Sequence, residues 1–103
     1  MGMSSAEAAF LQLNNSAIAD SKNGNTATFN NKTLATTPEG FRNLNIRDFE
    51  VYLNNRRISN NYVLSVVQSG SDIVATVNIS GFLNIPGAVF ESDDEVLLIG
   101  KFA

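Results

Sequence analysis

Cysteine, histidine and tryptophan are absent from this chain, and proline occurs only twice. Without cysteine there is neither a disulfide framework nor a thiolate metal site, and the redox compartment goes unmarked. Without histidine, the commonest metal ligand and the usual near-neutral proton shuttle are both missing. Charge is scarce too: Asp, Glu, Lys and Arg make up 17% of residues, where soluble domains average about 25%. A net charge of −3 with no basic stripe gives no reason to expect a nucleic acid. No segment reaches the ~20 apolar residues of a membrane helix, so no membrane is expected. Met1–Leu13 has neither a basic start nor a continuous apolar stretch and does not read as a signal peptide.

What is present is a polar but uncharged coat over an apolar interior. Hydrophobic residues make up 44% of the 103 residues, enough for one independently folding domain. A chain of this mass buries roughly 65% of its unfolded surface, which leaves little stability to spare. Amides and hydroxyls cover the surface that charge does not. Asn-Asn doublets stand at 14–15, 30–31, 54–55 and 60–61.

Residues 1–45 and 46–103 read differently, as an N-terminal arm or helix with a hairpin and an antiparallel β module of the same domain. Ser4-Ser5-Ala6-Glu7 fits a capping box, and Ala8–Leu13 continues it as a short helix. The alternative is an edge strand over Phe10–Leu13 within an ordered arm. Lys22-Asn23-Gly24-Asn25 is a strong turn. Thr26–Phe29 and Thr33–Thr37, around Asn30-Asn31-Lys32, read as a hairpin, and Thr37-Pro38-Glu39-Gly40 as a further turn.

From Ile46 the apolar period is two. Phe49, Val51 and Leu53 face one way, and Asp48, Glu50 and Tyr52 the other. Asn54-Asn55 suits a tight hairpin that needs positive φ. Tyr62–Val67 reads as the next strand, then Gln68–Asp72 as a turn. Ile73, Ala75, Val77 and Ile79 alternate with Val74, Thr76, Asn78 and Ser80, a strand with one wet face. Pro86-Gly87 breaks the chain. Val96–Ile99 is apolar on both faces and calls for a central position or a cover over its second face. The expected fold is mainly all-β, a small antiparallel β-sandwich or barrel-like domain with a short N-terminal helix or extended arm.

No set of residues announces catalysis. Ser lacks a His base, and no Ser-x-x-Lys spacing or phosphate-binding glycine loop occurs. Asp48 and Glu50 form a conceivable carboxylate pair on one strand face, but a solvated face is the plainer expectation. Glu91-Ser92-Asp93-Asp94-Glu95 gathers oxygens without the spacing of a calcium loop, and a solvated turn is expected there. No enzyme activity, metal or cofactor is therefore expected. Tyr52 and Tyr62 raise a sugar-stacking platform as an option, against packing on cross-strand neighbours. Arg56-Arg57 suits either gatekeeper charges on a hairpin tip or pairing with acidic groups of a neighbour.

The run Phe49-Glu50-Val51-Tyr52-Leu53-Asn54-Asn55, then Ile58, Tyr62 and Asp94-Glu95-Val96-Leu97-Leu98-Ile99-Gly100-Lys101-Phe102, resembles a β-rich module of tail-fibre and other virion structural proteins of tailed bacteriophages, particularly phages of cyanobacteria. That module carries a "VYVNG"-like strand, a polar turn, a Tyr-bearing strand and a closing "GDxVxIxG" strand. This chain departs from it with Asn55 in place of Gly and Asp93-Asp94-Glu95 in place of Gly-Asp. The resemblance spans residues 46–103. It implies a non-enzymatic virion protein, a tail, baseplate or fibre component or a capsid decoration protein, with Tyr52, Asn54, Tyr62 and Val96 in packing and turn roles.

A carbohydrate-binding or adhesin module contacting the host surface is the alternative. Phe82, Leu83, Ile85, Val89, Phe90, Leu98 and Phe102, with Arg56 and Arg57, are the candidate interface, because so small a domain cannot easily hide every apolar side chain near its end. The expected partners are copies of the chain itself, a trimer among the options, and other virion proteins.

Overall fold

The computed structural model describes residues 3–103. Ser4 opens helix α1 (Ser5–Gln12) with the expected capping box: its hydroxyl accepts from the Glu7 N–H, and the Glu7 carboxylate accepts from the Ser4 N–H. The chain turns extended at Leu13 and continues as strand β1 (Asn15–Ile18), so no edge strand forms over Phe10–Leu13. Strands β2 (Ser21–Asn23) and β3 (Thr26–Phe29) follow, joined over Gly24-Asn25 with Gly24 at φ 62°.

The expected hairpin between Thr26–Phe29 and Thr33–Thr37 does not form. β3 pairs instead with β2 and with β7 (Asp72–Val77), and the 33–37 segment contributes one isolated bridge, Leu34 to Phe102. Asn31 sits at φ 54° and sends the chain away from the sheet. Two side chains then hold the departing segment with three hydrogen bonds. Asp72 Oδ1 accepts from the Asn31 N–H, and the Gln68 amide accepts from the Leu34 N–H and donates to the Lys32 carbonyl.

The period-two run lies where the sequence puts it. β4 (Phe49–Leu53) buries Phe49, Val51 and Leu53 and leaves Glu50 and Tyr52 half-buried on the other side. Asn54 at φ 50° and Asn55 at φ 69° fill both left-handed positions of a type I′ turn. Its second strand, however, is β5 (Arg56–Ile58), only three residues long. Tyr62 belongs to a 3-10 turn, Asn60–Tyr62, from which the chain crosses to the other sheet as β6 (Val63–Ser69). Gly70 at φ 60° turns β6 into β7. The alternation read through Ile79 and Ser80 ends at Val77. Asn78 caps a short helix α2 (Ile79–Leu83) through its side chain, which accepts from the Gly81 N–H. β8 (Val96–Gly100) closes the structure.

The strands form two four-stranded antiparallel sheets, β1-β8-β4-β5 (sheet A) and β2-β3-β7-β6 (sheet B). Their inner faces supply one core: Val51, Leu53, Ile58, Val96 and Leu98 from sheet A meet Ala27, Phe29, Ile73, Ala75 and Val77 from sheet B. Phe90 and Phe102, outside any strand, complete it. The doubly apolar run Val96–Ile99 does take a central position, between β1 and β4. Of the first 45 residues, those from 15 to 29 are woven into both sheets, through β1 on β8 and through β3 on β7.

Candidate interaction surfaces

The charged groups that read as chemical candidates are engaged in holding the backbone. Asp48 does not face outward beside Glu50. It ends a 3-10 turn, Ile46–Asp48, with its side chain only 3% exposed, accepting two hydrogen bonds from the Arg42 guanidinium and one from the Asn45 N–H. The Arg42 hydrogen bond, outweighing the cost of desolvation, holds the Asp48 carboxyl below the ordinary aspartate range. Glu50 accepts from the Tyr52 hydroxyl at 2.6 Å, and that bond to a carboxylate pushes the phenol up. The two carboxylates therefore do separate work.

The acidic stretch 91–95 is tied in the same way. Asp94 accepts from the Asn54 side-chain amide and from the Glu91 N–H, while Asn54 Oδ1 accepts from the Glu95 N–H. A backbone bond from the Asn54 N–H to the Glu95 carbonyl completes a reciprocal pair. One asparagine thus fastens the β4–β5 turn to the segment leading into β8. Among the described residues, no group of three or more His, Cys, Asp and Glu is placed to hold a metal ion.

The nine candidate interface residues divide into three groups. Phe90, Leu98 and Phe102 are core residues at 7%, 0% and 0% exposure, so the reading of them as contact residues is corrected. Leu98 faces inward from β8, and Phe90 and Phe102 pack in the same core. Phe82 and Leu83 are half-buried against the core. Phe82 takes the edge of the Tyr62 ring at 6.1 Å and the Arg56 guanidinium 4.9 Å above its face. Tyr62 in turn lies against Gly81, where a Cβ would stand 3.0 Å from its ring. Ile85 and Val89 are exposed at 54% and 52%, and Arg56 and Arg57 are exposed as well.

Val89 and Leu64, itself 56% exposed, flank an open groove of about 380 Å³. Its floor runs from Val77 and Ile79 to Ala88, and its polar rim is Asn25, Asn78 and Ser80, with no charged residue.

A second surface went unread in the sequence. On the outer face of sheet A, the register aligns Ile18, Leu97, Tyr52 and Arg57 in one row across the strands. Ser16, Ile99 and Glu50 make the next. Leu97, Ile99 and Tyr52 are half-buried and Ile18 is 55% exposed. Tyr and Arg are enriched at protein contact surfaces, and here exposed and half-buried aliphatic side chains adjoin them. Ile18 was invisible because it is the one large apolar side chain in a stretch of small residues, Ser16 to Ser21, and only the pairing of β1 with β8 brings it to Leu97. Tyr52 and Tyr62 do not share a platform: the first lies in this row, the second at the end of the sandwich under Phe82. Compared with family models, curated proteins and solved structures, the chain matches none.

Proposed function

We propose that this chain is a non-enzymatic structural subunit of a tailed-phage virion, working by contact with copies of itself and with other virion proteins. The observation that carries the reading is the outer face of sheet A, where Ile18, Leu97, Tyr52 and Arg57 form a continuous row of contact-type side chains. The resemblance of residues 46–103 to virion β modules supports it. So does the engagement of Asp48, Glu50 and Asp94 in local hydrogen bonds, which spends the carboxylates on structure.

Burying one large aliphatic side chain contributes about 1.5–3 kcal/mol, so a few at an interface suffice for lasting association. Tail and capsid positions are both compatible with a domain of this size. Electron microscopy of intact particles at side-chain resolution tests the reading. Density for this chain with sheet A against a neighbouring subunit is the expected result; particles that lack the chain refute it.

A further inference from the structure

The four sheet edges of the molecule are not equally protected. β5 is three residues long and carries Arg56 and Arg57. β2 is also three residues and carries Lys22. In β1 the Asn15 side chain already accepts from the Ser16 N–H. Short strands, edge charges and bulges are the usual ways of stopping unwanted pairing, and an occupied amide has one donor fewer to offer. β6 has a bulge at its start, between Val63 and Ser65, and none of these protections over Ser65–Ser69. It is seven residues long, reads Val-Leu-Ser-Val-Val-Gln-Ser, and contains neither charge nor proline. Leu64 and Val67 are 56% and 47% exposed along it.

The register with β7 shows which backbone groups are free. The two-residue turn over Gly70-Ser71 makes Ser69 and Asp72 a hydrogen-bonded pair, and such pairs alternate, so Val67 and Val74 form the next one. Gln68 and Val66, lying between and beyond these pairs, turn their N–H and C=O groups away from β7. Among the described residues, no backbone group outside β7 bonds to the backbone of Leu64–Ser69.

We propose that β6 pairs antiparallel with β6 of a second copy, about a two-fold axis through Val67, joining the two B sheets into one. This rests on the reading of the chain as a self-associating subunit and names the edge through which two copies meet, which leaves the outer face of sheet A for other virion proteins. In this register Val66 of each copy stands opposite Gln68 of the other. Both residues have outward-pointing backbone groups, so two hydrogen-bonded pairs form. Val67 meets its own counterpart in the closer, non-hydrogen-bonded position between them. The strand is thus its own complement. It brings no charge against charge although each chain carries a net −3, and a two-fold contact closes on itself without leading to fibres. The blunted β1, β2 and β5 edges leave no second site for further addition.

The test uses light scattering together with a cysteine pair. Wild-type protein at high micromolar concentration is expected at twice the 11.1 kDa chain mass. Val67→Lys places two ammonium groups opposite each other and is expected to lose the association while keeping the wild-type circular dichroism. Val67→Cys introduces the only thiol in the chain. Across a non-hydrogen-bonded pair the Cα atoms lie about 4.5 Å apart, within disulfide reach. It is expected to oxidise to a covalent dimer, whereas Leu64→Cys, about 20 Å from its counterpart in this register, is not. A wild-type monomer overturns both this proposal and the self-association it rests on. Association that survives Val67→Lys, or equal cross-linking at positions 64 and 67, overturns the β6 contact alone.

Discussion

The Lys101 ammonium lies 2.8 Å from the carbonyl oxygen of Phe10 and 5.0 Å above the ring of the same residue. It also donates to the carbonyls of Leu11 and Leu13. These are carbonyls of the C-terminal turn of α1 and of its cap Leu13, a turn with no basic residue of its own; the Phe10 carbonyl also accepts from the Leu13 N–H. A residue 88 or more positions away supplies the missing positive cap. Phe10, only 4% exposed, completes the anchor against Phe41 at 5.5 Å.

Lys101→Met keeps the aliphatic stem and removes the charge. The expected result is faster amide exchange across residues 5–12, with a cost of about 1–2 kcal/mol confined to that helix. Exchange in the β4 and β8 amides stays as in wild type. Exchange measured residue by residue checks this; an unchanged α1 refutes the capping role.

Asp48 makes stability depend on acid. Its folded-state pKa lies below the ordinary value of 3.8, so the group stabilises the fold above that value. The contribution is lost as pH falls through and beneath it. Asp48→Asn removes this pH dependence at a cost of about 1–2 kcal/mol at neutral pH. Urea titrations at pH 7 and pH 3 check it. The gap between wild type and variant shrinks at the lower pH, and a gap of constant size contradicts the assignment.

The two asparagines of the β4–β5 turn are expected to respond in opposite directions. Asn55 contributes a positive φ that glycine adopts without strain, so Asn55→Gly is expected to stabilise by a few tenths to about 1 kcal/mol. Asn54→Gly keeps the φ but abandons the bonds to Asp94 and Glu95, and is expected to destabilise by about 1–2 kcal/mol. Denaturant midpoints of the two variants, displaced to opposite sides of wild type, are the measurement.

Phe102→Ala tests the core assignment of a residue first read as a contact. With 0% exposure, its loss is expected to cost about 3–5 kcal/mol, a large share of what a domain of this size possesses. Exposed Val89→Ser is expected to change thermal stability little. Calorimetry on the pair distinguishes packing from surface roles. Equal small effects would move Phe102 back to the surface.

Nearly all of the strand content was legible wherever one face is buried, because a half-buried strand prints its period of two. Phe49–Leu53 and Ile73–Val77 are the clear cases, and their turns carry asparagine or glycine where positive φ is needed. What failed to print has identifiable causes. β5 is too short for a period, and its first residues are arginines. Thr33–Thr37 has strand-like composition, but its pairing is confined to Thr33–Ala35, which bond the backbone of Lys101 and Ala103 around a single bridge, Leu34 to Phe102. Ile79 continues the strand's apolar spacing while beginning a helix, since Asn78 caps it. Phe90 and Phe102 lie outside strands and have no pattern to betray their burial. Of the interaction surfaces, Ile85, Val89 and the two arginines were legible as exposed candidates. The Ile18–Leu97–Tyr52–Arg57 row was not, because it exists only once strands from both halves of the sequence lie side by side.

Sheet B is assembled from residues 21–77, whereas sheet A waits for its centre, since β8 at 96–100 separates β1 from β4. During synthesis, strand 15–18 has no partner, and strand 49–53 has only the three-residue strand 56–58, until that late segment arrives. The exposed contact row is therefore the last surface to exist, and a nascent chain cannot dock through it before its own interior is complete.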